Sequence, residues 1–171
     1  MTHQPHPAAG PALSSPSGPA DGCAQEQDAP GRLHGTWTLV DYTRWVDAEV
    51  IGRPLGPDPV GQLVYQRDGR VCAFLMRRER PWTSGRSFTD ATDEERGAAA
   101  LGFVGYAGRF VLCDGLVFHH VEMSLYVEHV GAVLVRRVSW SGPRLVLETE
   151  GRRTRSGRTL TDRLEWARSG G

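Results

Sequence analysis

The sequence predicts a mainly β fold: eight antiparallel strands closed into a barrel, with one helix between the third and fourth strands. Three observations predict it. Stretches rich in β-branched and aromatic residues alternate apolar and polar with period two, separated by Gly, Pro and Asp-Gly turns. One capping signal, Thr92-Asp93-Glu94-Glu95, marks the start of a helix, with Thr92 as N-cap and Glu95 at the third helical position. Eight strands is also the number at which a closed barrel just encloses side chains or one small ligand, and closure removes exposed strand edges.

Strand one is His34–Tyr42 (HGTWTLVDY). It opens on Gly-x-Trp, a pattern that recurs in lipocalin-type barrels, where the tryptophan plugs the closed end; Trp37 as core packing is the plain reading. Ile51–Val60 holds three prolines, which fix φ and forbid a central strand. Gly61–Gln66 and Val71–Arg77 form a hairpin around Asp68-Gly69. On it Leu63 and Tyr65 share a face, as do Ala73, Leu75 and Arg77. The helix is expected to run from the capping box through Tyr106, with Leu101, Val104 and Gly105 at helical spacing on a face that packs on the barrel. Four strands follow the short Arg109–Cys113: Leu116–Tyr126, Ala132–Trp140, Arg144–Glu150 and Thr159–Trp166. The loop GRRTRSGR between the last two carries four arginines but no phosphate-cradling glycine motif, and reads as a solvated hairpin tip.

Composition narrows the function. The 171 residues are one domain's worth of chain, with 39% apolar residues. Residues 1–30, rich in Pro, Ala, Gly and Ser, lack a basic start and an apolar run. They read as a disordered tail rather than a secretory signal, leaving 31–168 for the barrel. Twenty basic residues balance 20 acidic ones, so neither nucleic acid nor an anionic membrane is an expected partner. Every basic residue is arginine, and asparagine is absent too, the bias expected of a GC-rich bacterial genome. Without lysine there is no Schiff-base chemistry. Cys23, Cys72 and Cys113 are too few and too far apart for a disulfide framework or a zinc site. Cys72 and Cys113 fall in expected strands and are expected as small buried hydrophobes in a reducing, cytoplasmic compartment. No stretch approaches the ~18 apolar residues of a membrane span. No motif calls for a cofactor or a metal. A homodimer is compatible with all of this.

The richest stretch is Gly115–Gly131 (GLVFHHVEMSLYVEHVG), which holds three of the six histidines. Phe118, His120, Glu122, Ser124 and Tyr126 alternate onto one face; Val117, His119, Val121, Met123 and Leu125 fall on the other. The second face is the more apolar and is expected in a dry core. The first then meets solvent or a ligand cavity. His120 and Glu122 lie about 6–7 Å apart along the strand, close enough to share a proton or a bridging water. Facing a cavity, they are the candidate general acid and base; facing solvent, they are a surface pair. Adjacent histidines point to opposite faces, so only one joins Glu122. Of Arg136 and Arg137 one must point inward, and Glu122 on the neighbouring strand is its expected partner.

Several stretches resemble one family. Pro54–Pro81 (PLGPDPVGQLVYQRDGRVCAFLMRRERP), Gly105-Tyr106-Ala107-Gly108-Arg109, His119–Leu125 (HHVEMSL) and Leu164-Glu165-Trp166 are similar to the lipocalin-like domain of bacterial proteins related to the AttH type, over about residues 33–168. The resemblance implies a small β-barrel with an internal cavity. Related barrels in biosynthetic clusters include binders and cyclases or isomerases of polyketides and terpenoids, which is analogy at the level of fold. The family commonly runs through Pro-Asn-Trp-Val-Gly after Ser-Leu, whereas this chain has Tyr126-Val127-Glu128-His129-Val130-Gly131. Glu128 and His129 replace the asparagine and tryptophan, which either removes an activity or supplies a new acid–base pair at the rim.

The expected function is therefore binding of a small apolar or amphipathic molecule in the barrel, in bacterial secondary metabolism. Tyr65, Leu75, Arg77, Phe118, Tyr126, His129, Arg137 and Trp140 are the expected ligand contacts. The alternative is a cofactor-independent cyclase or isomerase of a polyketide or terpenoid intermediate, using His120 and Glu122. A third reading is a structural barrel with a packed interior.

Overall fold

The computed structural model describes residues 29–170 apart from 81, 83 and 84. The tail expected over 1–30 lies outside the described residues except for its last two, which open a short helix α1 (Ala29–Leu33). Ten strands follow: β1 (Gly35–Val46), β2 (Glu49–Gly52), β3 (Pro59–Tyr65), β4 (Arg70–Arg77), β5 (Phe103–Cys113), β6 (Leu116–Ser124), β7 (Val133–Ser141), β8 (Arg144–Thr149), β9 (Arg152–Arg153) and β10 (Thr159–Arg168). Eight of them run β1-β3-β4-β5-β6-β7-β8-β10, and β10 returns to β1 to close the barrel. The closing pair is antiparallel from Trp37 opposite Arg168 to Val46 opposite Leu160, with a bulge between Leu39 and Asp41. The short β2 and β9 extend β1 and β10 beyond the closure.

Helix α2 (Asp93–Leu101) carries the expected capping box: Thr92 Oγ1 accepts from the Glu95 amide and Glu95 accepts from the Thr92 amide. Its place and extent differ from expectation. It follows β4, not the third strand, because β2 precedes it in the chain. It ends at Gly102, and Phe103–Tyr106 belong to β5 rather than to the helix. The Phe-Val-Gly-Tyr-Ala-Gly run pairs residue for residue with β4, Val104 opposite Leu75 and Tyr106 opposite Ala73. No residue of α2 is buried, and Leu101 points into solvent, so the helix has no apolar face laid on the barrel. β6 stops at Ser124, and a single 3₁₀ turn (Val127–His129) replaces the expected end of the strand. Cys72 is a free thiol, whereas Cys113 is disulfide-bonded, which corrects its reading as a reduced hydrophobe.

One end of the barrel is sealed by the start of β1. The Trp37 indole donates to the carbonyl of Leu33 at 2.8 Å, tying α1 across the end. Arg168 stacks on the Trp37 ring at 4.3 Å and donates to the carbonyls of Arg32 (2.7 Å) and His34 (2.8 Å). The Arg32 guanidinium lies 3.7 Å from the Trp140 ring centroid. Gly35 has φ +128°, and a Cβ there would sit 2.6 Å from Arg168 Nη1. Glycine before the tryptophan is thus a requirement of both backbone and space. Above this plug a continuous apolar core includes Leu63, Tyr65, Val71, Val117, Leu145 and Trp166.

Candidate functional site

The inner face of β6 is the one carrying Val117, His119 and Val121, all buried, while His120 and Glu122 on the other face are exposed. The expected acid–base pair therefore stands on the outside of the barrel. Glu122 is held there by Arg70, at 2.5 Å, and by Arg109, at 3.2 Å. The histidine inside is His119. An imidazole buried at 1% exposure must find polar partners. Its partners are two tyrosines: Tyr65 Oη lies 2.8 Å from Nε2 and Tyr106 Oη lies 2.8 Å from Nδ1. Both tyrosines are themselves buried, at 1% and 8%.

The chain builds this trio from three strands. Tyr65 ends β3, Tyr106 lies on β5 and His119 on β6. The β5–β6 register shifts between Ala107 and Gly108, where a Cβ on Gly108 would lie 1.9 Å from the carbonyl oxygen of His120. Glycine at 108 lets the two backbones come that close. On the other side of this bulge Tyr106 is paired with Ser124 and still faces inward.

Burial sets the protonation states. It pushes the His119 imidazole from its ordinary 6.5 down to about 3, with the Arg136 and His120 charges adding to the effect. Burial also raises the Tyr65 and Tyr106 phenols above their ordinary value, opposed by Arg136. Near neutral pH the trio is uncharged. One tyrosine donates to the imine nitrogen of His119, and the other accepts from its N–H.

Toward the other end the interior turns polar. Arg44 on β1 binds Asp162 on β10 through two bonds, Nε to Oδ1 at 2.7 Å and Nη2 to Oδ2 at 2.8 Å. Tyr42 donates to Asp162 Oδ2 at 3.1 Å. Burial, then the Asp162 charge, raises the Tyr42 phenol, and the Asp162 hydrogen bond raises the Arg44 guanidinium. The side chains of Arg44 and Asp162 are 37% and 14% exposed, so this rim meets solvent. Arg136 on β7 is the inward member of its pair, and the expected contact Arg137 is exposed.

The other expected contacts divide. Leu75 and Trp140 lie in or against the core with Tyr65. Phe118 lies on the outward face of β6 with His120 and is part-buried. Tyr126 and His129 sit in and beside the 3₁₀ turn with ring centroids 5.4 Å apart, and His129 Nδ1 is buried with no partner. Arg77 is exposed at the end of β4, donating to the carbonyl of Pro54 at 3.2 Å. It borders an external cleft of about 610 Å³ between β4 and α2, also lined by Arg80, Trp82, Phe88 and Leu101. Tyr42, Arg44, Tyr106, His119, Arg136 and Asp162 are the inner polar groups absent from the expected contacts. The sequence signal for His119 is its alternation with Val117 and Val121, which places it on the buried face.

A closed antiparallel barrel of eight strands, plugged by tryptophan at one end and polar at the other, defines a lipocalin-like protein. The family model for the lipocalin-like domain matches residues 34–169, and the chain belongs to that family. Over 87 residues it is 34% identical to the 4'-hydroxy-3'-methoxypropiophenone carrier protein of Aspergillus oryzae, an alignment that covers 46% of this chain and 78% of the relative. No helix among the described residues is long and apolar enough to cross a membrane.

Proposed function

We propose that the protein is a carrier that holds a small, oxygenated aromatic or apolar molecule inside the barrel. The observation that carries the reading is the Tyr65–His119–Tyr106 trio, a polar hydrogen-bonding set sunk within the apolar core. Pockets for small molecules have this character, mostly apolar with a few placed polar groups. The named cargo of the Aspergillus relative, a phenolic ketone, is of the same chemical kind.

The alternative is cofactor-independent isomerisation or cyclisation of a polyketide or terpenoid, with the trio as its proton path. Electrostatics favours binding. An efficient general acid or base titrates near the working pH. His119 is pushed down to about 3 and both phenols are pushed up, so none of the three exchanges a proton readily at neutrality. The trio donates and accepts hydrogen bonds instead.

Equilibrium dialysis of the full chain against small phenolic ketones and related apolar aromatics, read by liquid chromatography–mass spectrometry of bound and free pools, tests this. A compound retained unchanged, with affinity reduced in His119→Phe, is the expected result. A product of equal mass and shifted retention establishes the isomerase instead. No retention and no product across the panel removes both readings.

A further inference from the structure

The interior has more donors than acceptors. In the Tyr65–His119–Tyr106 trio, at most one imidazole nitrogen accepts a proton, so at most one tyrosine donates to it. At least one tyrosine hydroxyl therefore keeps its proton unshared, because no other hydrogen bond of either hydroxyl occurs among the described residues. A protonated imidazole would leave two such hydroxyls, so the surplus does not depend on the tautomer or the charge.

Arg136 adds to it. Leu134 is paired with His119 and Arg136 with Val117, so Arg136 is the diagonal neighbour of His119, with Cβ atoms on the order of 7 Å apart. Its guanidinium is part-buried and, among the described residues, makes one hydrogen bond, Nη1 to the carbonyl of Val135 at 2.8 Å. No carboxylate pairs with it among the described residues. Asp162, the acid on the inner rim, is already held in a two-bond fork by Arg44. Glu122, the partner expected for an inward arginine, is outside with Arg70 and Arg109. Trp166 Nε1 is a further buried donor without an acceptor among the described residues. Buried donors left unpaired are costly, so the interior favours an acceptor that the described residues do not provide.

We infer that the cargo carries an oxyanion, held by the Arg136 guanidinium and by the unshared tyrosine hydroxyl of the Tyr65–His119–Tyr106 trio. The class is a small amphipathic acid, its carboxylate, phenolate or enolate at the arginine and its apolar body against Leu75, Val121 and Leu134. A planar guanidinium fork suits such a group, whereas a neutral apolar molecule leaves the donors unmet. The inference rests on the carrier reading and specifies its cargo.

Two fluorescent probes that share one apolar body separate the two claims: neutral phenylnaphthylamine and anionic anilinonaphthalene sulfonate. Each is titrated into the full chain, its Arg136→Gln and Arg136→Lys variants, and Arg137→Gln as the outward control. Expected is competition of the two probes for one site, with the sulfonate bound at least tenfold more tightly. Arg136→Gln loses that preference, Arg136→Lys keeps part of it and Arg137→Gln leaves it intact. Displacement by phenylbutyrate or by nitrophenolate then separates a carboxylate from a phenolate cargo. Equal affinity for both probes in the unaltered chain, sites that do not compete, or displacement by neither acid overturns the oxyanion while the carrier stands. If neither probe binds, the carrier reading itself fails. The comparison within the unaltered chain decides the matter even if the Arg136 variants do not fold.

Discussion

Tyr65 on β3 and His119 on β6 meet across the barrel, hydroxyl to Nε2 at 2.8 Å, with both side chains at 1% exposure. The two strands are not neighbours in the sheet, since β4 and β5 lie between them. The contact is thus an internal cross-brace as well as part of the candidate site. Removing one member leaves a buried polar atom without a partner, whereas removing the whole set leaves an apolar core.

The first prediction follows from that asymmetry. Tyr65→Phe costs about 1–3 kcal/mol of stability, because His119 loses a partner it cannot replace with water. Replacing all three, with Tyr65→Phe, Tyr106→Phe and His119→Leu, recovers much of the loss. Urea unfolding of the single, double and triple variants measures it. Strictly additive losses across the set would show that the three do not act together.

The pH dependence has a definite sign. His119 titrates at about 3 when folded and at its ordinary 6.5 when unfolded, so between these values the unfolded chain binds the extra proton. The stability from a neutral, buried His119 is fully present above pH 6.5 and is lost as pH falls toward 3. The loss is about 1.4 kcal/mol per pH unit within the window, for this one group. His119→Gln keeps hydrogen-bonding capacity and cannot titrate. Its unfolding midpoint should fall less steeply between pH 6.5 and 4.5 than that of the unaltered protein. Parallel slopes for the two proteins would remove His119 as the titrating group.

Much of the barrel was legible because period two survives in nearly every strand. The plug at Trp37, the Asp68-Gly69 hairpin and the capping box at Thr92 all rest on local chemistry, and all are found. Leu101, Val104 and Gly105 fit a helical spacing, so the sequence predicts helix through Phe103–Tyr106. The pairing with β4 that overrides this is non-local. The helical spacing conceals Tyr106, the second partner of His119. His120 and Glu122 looked chemical because they stand side by side on one face, but sequence alone does not say which face turns inward. The choice is made by Val117 and Val121, whose burial takes His119 in with them. Arg136 and Arg137 pose the same problem on β7, where the expected contact Arg137 is the outward one.

Gly35 is the position least tolerant of a methyl group at the sealed end. Gly35→Ala forces φ +128° on a residue with a Cβ and pushes that Cβ to 2.6 Å from Arg168 Nη1. Arg168 can retreat only by releasing the carbonyls of Arg32 and His34 and the face of Trp37. The expected cost is about 1–3 kcal/mol for the backbone conformation alone. The variant should melt earlier and show a red-shifted tryptophan emission as the plug loosens. An unchanged melting temperature would mean that the sealed end is not under tension at Gly35.

The capping box should behave in the opposite way. Thr92→Ala removes the hydroxyl that accepts from the Glu95 amide at 3.2 Å. Loss of such a cap costs a helix about 1 kcal/mol. No residue of α2 is buried, so little tertiary packing holds the helix once its first turn frays. The loss is therefore local: amides of Arg96–Leu101 should exchange several-fold faster, while the barrel amides and the global unfolding midpoint stay put. The Arg80 guanidinium, which donates to the carbonyl of Ala99 at 2.9 Å and borders the external cleft, should gain freedom at the same time. A drop in the global midpoint as large as the cap energy would instead mean that α2 unfolds only together with the barrel, through contacts its exposed face does not reveal.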